Sequence, residues 1–162
     1  MKRIVLKIAL SLSVIFFFSC EKKLTVKEQI NPNGSKVSFV MGEKYLTSHW
    51  DLFIYANKEK PSSWEEFTIT PVEEGKYSIQ AHTGKFLSAD LGSNQELESN
   101  RDRASLWEKF EIVEVNDSLI ALKAANKKFV SLNEKDLRLY AVSDTITPQT
   151  FITIKFLEKE VR

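Results

Sequence analysis

Only two histidines offer acid–base or metal-binding chemistry in this chain, and His49 and His82 stand 33 positions apart. Neither has an acidic partner at a zinc-binding spacing such as His-Glu-x-x-His, so they point to neither metal ligation nor acid–base work. His82 precedes Thr83-Gly84 and reads as a solvated turn residue. The adjacent carboxylates Glu65 and Glu66 are of the type that glycosidases place around the bond they cleave. Glu65, however, returns as Glu108, each directly after a Trp and two before a Phe, and a catalytic acid has no reason to occur twice in equivalent places. The expected role is structural, a carboxylate accepting backbone N–H bonds at a turn into a strand, with Trp64 and Trp107 as core or sub-core aromatics. No nucleophile pairs with a base. The chain therefore reads as non-enzymatic, with no catalytic residue, metal or cofactor. What remains is recognition, and its best equipment is His49-Trp50-Asp51 followed by Tyr55 and Asn57. An exposed Trp beside Asp and Asn can stack on a sugar ring and bond its hydroxyls. The alternative for Trp50 is to cover the bottom of the fold as a packing cap.

The sole cysteine, Cys20, follows Met1, Lys2, Arg3 and Lys7 and an apolar run from Ile8 to Phe18 broken only by Ser11 and Ser13. A charged start and a short apolar core make a signal peptide. The run falls short of the ~20 apolar residues that a membrane-spanning helix needs. Phe17-Phe18-Ser19-Cys20 resembles the lipobox of bacterial lipoproteins, although Phe17 stands where Leu is usual. That resemblance implies a diacylglyceryl group on the Cys20 sulfur, cleavage before Cys20, and a domain tied to the membrane without spanning it. The expected location is the bacterial cell envelope, at the outer membrane. With no second cysteine, the exported domain has neither a disulfide nor a spare thiol.

Removing residues 1–19 takes away three basic residues and no acid, leaving 20 basic against 22 acidic. That balance argues against a nucleic-acid partner, which calls for clustered positive charge. Residues 20–36 are polar and carry Asn31-Pro32-Asn33-Gly34, and read as a lipidated tether. Residues 37–162 suffice for one domain with its own core, expected to be monomeric.

Within 37–162 three blocks return in the same order, a signature of repeat architecture. They read KVSFVMGEKYLTS to WEEFTI, KYSIQAHTGKFLSA to WEKFEI, and LIALKAANKKFVSL to QTFITI. Phe39, Ile79 and Leu122 are 40 and 43 apart; Tyr45, Phe86 and Phe129 are 41 and 43 apart; Phe67, Phe110 and Phe151 are 43 and 41 apart. Apolar residues alternate with polar ones, as in Tyr77-Ser78-Ile79-Gln80-Ala81, which is the period of a half-buried strand. Each block offers about four short strands; for the second these fall near 76–81, 85–89, 95–99 and 109–114. Twelve strands in three equivalent units close most simply around a pseudo-threefold axis, which removes unpaired edges. The fold class expected is all-β, a β-trefoil of three ~40-residue repeats following an N-terminal signal helix and tether. Positions shared by all copies serve the fold, and positions where one copy departs are free for a ligand. The first copy departs most, at His49-Trp50-Asp51. A second departure is the charged loop Asn100-Arg101-Asp102-Arg103.

Gly84-Lys85-Phe86-Leu87-Ser88-Ala89, Trp107-Glu108-Lys109-Phe110-Glu111-Ile112 and Leu122-Lys123-Ala124-Ala125-Asn126-Lys127-Lys128-Phe129-Val130-Ser131 resemble the fascin-like domain. The resemblance is best over residues 75–142. It implies a β-trefoil related to actin-crosslinking proteins, with bacterial relatives in exported, often carbohydrate-related proteins. Crosslinking of that kind uses tandem domains, and this chain has one. The Gln-x-Trp repeats of ricin-type lectins are absent. A membrane-anchored module that binds carbohydrate is the function expected, with docking of a protein partner as the alternative.

Overall fold

Alternation of apolar residues along short segments predicts strands with one face turned inward, and the computed structural model, which describes residues 23–89 and 94–157, is built from twelve of them. Six form a barrel: β1 (Ser35–Met41), β4 (Phe67–Glu73), β5 (Lys76–Ala81), β8 (Lys109–Glu114), β9 (Leu119–Lys123) and β12 (Ile152–Phe156). Antiparallel pairing runs β1–β4–β5–β8–β9–β12 and returns to β1, so the sheet closes without an edge. The other six make three hairpins: β2 (Lys44–Ser48) with β3 (Ile54–Lys58), β6 (Phe86–Ser88) with β7 (Glu98–Arg101), and β10 (Phe129–Leu132) with β11 (Leu139–Ser143). A six-stranded barrel capped at one pole by three hairpins is the β-trefoil arrangement.

Threefold layers fill the barrel. Phe39, Ile79 and Leu122 are fully buried, as are Ile54, Leu97 and Leu139 from the hairpins. Phe39 and Phe67 pack with ring centroids 5.5 Å apart. Each hairpin is bulged at one equivalent step, between Tyr45 and Leu46, Phe86 and Leu87, and Phe129 and Val130. The bulge leaves the aromatic half-exposed and sends the next residue inward.

The hairpins are also tied to one another in a ring. Leu52, Gln95 and Leu137 occupy equivalent positions, all with positive φ (75°, 63° and 60°). Left-handed backbone costs a non-glycine residue about 1–2 kcal/mol. Here it turns each carbonyl toward the next hairpin, where Ser99, Ala141 and Ala56 donate their N–H groups at 2.7, 2.8 and 2.9 Å respectively. The positive φ of Asn94 and Gln95 also explains why β7 starts at Glu98 rather than near 95.

Two expectations are corrected. The third copy is shifted by one residue: Val37 pairs with Phe67, Tyr77 with Phe110 and Ile120 with Ile152. Ile152, not Phe151, is thus the counterpart of Phe67 and Phe110, and it is the residue fully buried. A one-residue slip would turn Ile152 and Ile154 outward. The second correction concerns the tether. Residues 1–22, including the signal and Cys20, lie outside the described residues, but the rest of the 20–36 segment is part of the fold. Thr25 and Glu28 cap a helical turn, α1 (Val26–Gln29), reciprocally, and Val26 and Ile30 are buried in the core. The Lys27 N–H donates to Glu114 Oε1 at 2.8 Å, which puts α1 at the pole opposite the hairpins.

Candidate functional site

The first hairpin's loop is shaped by Asp51. Its carboxylate accepts the Phe53 N–H at 3.2 Å and the Tyr55 hydroxyl at 2.8 Å, and lies 3.0 Å from His49 Nδ1. Burial pushes the Asp51 carboxyl up, but these bonds and the nearby imidazole outweigh it and hold the group below the ordinary aspartate value. Tyr55 in turn receives a bond from Arg138 Nε at 2.9 Å, and the Arg138 guanidinium lies 4.0 Å from the Phe53 ring centroid. Arg138 also reaches Glu96 Oε1 at 3.0 Å, joining all three hairpins. Tyr140 shares Glu96 and donates to Asp136; burial and then the Asp136 carboxylate push its hydroxyl pKa up to about 12.

Against this braced loop the His49 ring sits edge-on to Tyr55, centroids 5.2 Å apart, and tilted to Trp50 at 5.3 Å. Trp50 is 77% exposed, which dismisses the packing-cap role. Lining the same pocket of about 220 Å³ is Trp64, 41% exposed, its ring 4.4 Å from that of His82. Lys58, Ser62, Thr47 and Glu65 complete the lining with His49.

Glu65 forms the floor. One oxygen accepts the Ser62 N–H and hydroxyl, both at 2.7 Å, and the other lies 2.8 Å from the Thr47 hydroxyl. Asn57 reaches the same hydroxyl at 3.2 Å. Glu108 accepts the Ser105 N–H at 2.8 Å, and Thr150 Oγ1 accepts the Thr147 N–H at 3.0 Å. The turn carboxylate expected at Glu65 and Glu108 is therefore present, and Thr150 replaces it in the third copy. Glu66 points elsewhere, 3.8 Å from Lys36 at the surface. Removing Glu65 would strand the Ser62 N–H and leave the buried Thr47 hydroxyl only its longer bond to Asn57. Glu65→Ala is expected to cost about 1–3 kcal/mol in a denaturant melt, whereas Glu66→Ala changes stability by less than about 1 kcal/mol.

Of the five residues singled out from sequence, His49 and Trp50 line the pocket. Asp51 and Tyr55 brace its loop from behind, and Asn57 touches it through Thr47. Trp64 was expected as a core or sub-core aromatic, and nothing in the sequence singled out Thr47, Ser62 or Lys58. Trp64 looked structural because Trp107 repeats it, yet the third copy has Gln149 at that position, which was the available signal that the indole is dispensable for folding.

A family described as "Domain of unknown function (DUF7910)" matches residues 78–162, slightly over half of the sequence. No curated protein matches. Among solved structures, the designed three-fold symmetric protein ThreeFoil superposes with a TM-score of 0.65 at 12% identity, over 74% of this chain and 96% of its own. Cry35Ab1 superposes with a TM-score of 0.63 at 12% identity, over 80% of this chain but only 37% of Cry35Ab1. At such identities the shared property is the fold.

Proposed function

The chain belongs to the DUF7910 family, a domain of unknown function, and from that footing we propose that it is a non-catalytic module binding carbohydrate in the pocket between Trp50 and Trp64. The carrying observation is two exposed indoles, Trp50 and Trp64, lining one small pocket together with Lys58, Ser62 and His49. Indole faces suit the apolar faces of a pyranose, and the polar groups suit its hydroxyls. A glycan array probed with residues 24–162 tests this: a defined set of saccharides retained by the native domain and lost in Trp50→Ala supports it, and a blank array refutes it.

We place the module on the bacterial envelope, anchored by acyl chains on Cys20, on the strength of the signal and lipobox residues. Cys20→Ser is expected to move most of the protein from the membrane to the soluble fraction of fractionated cells, and retention in the membrane would remove the lipid from the account. The other reading, a lipoprotein that docks a protein partner, as filament binding by fascin-like domains would, draws on Leu52 and Leu137. Both leucines are exposed at the hairpin pole. A stoichiometric protein captured from detergent-solubilised cells, with no glycan retained, would favour it.

A further inference from the structure

The repeat places a second pocket where the first would fall after a third of a turn. Lys58 pairs with Tyr45 at the bulge, and Arg101 pairs with Phe86 at the equivalent step. Ser105, Trp107 and Glu108 follow at the positions of Ser62, Trp64 and Glu65. These residues, with Asp102 and Arg103, line a pocket of about 430 Å³. In the third copy the same positions hold Ser143, Thr147, Gln149 and Thr150, with neither an indole nor a cation.

The two pockets differ in charge. The first sets Lys58 against Glu65 and is balanced. The second sets Arg101 and Arg103 against Asp102 and Glu108, but Asp102 is ion-paired to Lys85 from outside the pocket, and that pairing holds its carboxyl below the ordinary value. Glu108 is buried and lies 3.7 Å from Arg101 Nε. The second pocket thus sets two guanidinium groups, Arg101 and Arg103, beside Trp107, where the first has the single ammonium of Lys58.

We propose that this pocket is a second saccharide subsite, selective for an acidic sugar whose carboxylate meets the Arg101–Arg103 pair while its ring lies on Trp107, which makes the domain bivalent with one neutral and one anionic subsite. The proposal rests on reading the first pocket as a sugar site. A guanidinium fork matches a carboxylate with two parallel bonds, and two subsites on one rigid barrel raise the avidity for a polymer that spans both.

The three tryptophans make the test direct, because each indole N–H gives one signal: Trp50 and Trp64 report the first pocket, Trp107 the second. The full chain is titrated with cellotetraose, tetragalacturonate, a sulfated galactan tetrasaccharide and tetraglutamate. Tetragalacturonate is expected to shift the Trp107 signal, more weakly at 0.5 M salt, and Arg103→Gln to weaken that response about tenfold without altering a Trp50 or Trp64 response. An equal response to the sulfated sugar keeps the acidic class and names sulfate as a second source. A Trp107 signal unmoved by both acidic sugars overturns the second subsite, and if Trp50 and Trp64 still respond, the first pocket's reading stands. A response of Trp107 alone overturns bivalency and the first pocket's reading together. A Trp107 response to tetraglutamate as strong as to tetragalacturonate overturns the saccharide class in favour of an acidic polypeptide.

Discussion

Replacing Trp50 and Trp64 by alanine, singly, is expected to weaken binding of whichever saccharide the array selects by about 30-fold or more, the loss typical of a central aromatic anchor worth at least ~2 kcal/mol. The two variants differ in what else they change. Trp50 is 77% exposed, so Trp50→Ala should leave stability within about 0.5 kcal/mol of the native chain. Trp64 rests against His82 and should lose up to ~1 kcal/mol with that ring contact. Titration calorimetry and thermal melts on the same preparations separate the effects. Loss of binding that tracks loss of stability in Trp50→Ala would mean that the indole holds the loop, not the ligand.

The second large effect is on folding. Ile152→Ala is expected to cost about 2–5 kcal/mol, the range for emptying a fully buried aliphatic site, from a total that for domains of this size is only about 5–15 kcal/mol. Phe151→Ala, at a partly exposed site, should cost clearly less, no more than about 2 kcal/mol, despite removing a larger side chain. The order of the two denaturant midpoints is decisive. If Phe151 proves the costlier loss, β12 pairs in the other register and the inward face described for it is wrong.

That pair of residues also shows what could be read from the chain before its structure. The threefold repeat was legible because each copy must supply the same inward positions, and Phe39, Ile79 and Leu122 do so at equivalent depth. The one-residue offset at Phe151 was not, since Phe is the larger apolar residue and only the pairing of Ile120 with Ile152 decides between neighbours. Docking of Val26 and Ile30 was hidden as well: two apolar residues in a polar stretch set no period. At the site, the departure of His49-Trp50-Asp51 from the other copies pointed to the right loop. Trp64 was missed because it comes from a different strand connection, 14 residues later, and it is the bond from Thr47 on β2 to Glu65 that brings its turn to the same pocket.

The docked helical turn α1 bears on how an anchored module would be presented. From Cys20 to Thr25 there are five residues, which even fully extended reach only about 17 Å, roughly half the thickness of a bilayer's hydrocarbon core. With an acyl anchor at Cys20, the domain has almost no leash. Anchored in the proposed way, it would stand on the lipid surface by the end that α1 closes, with its hairpin pole turned away from the membrane. A saccharide polymer bound as proposed would then be held at a stand-off of one barrel height from the membrane.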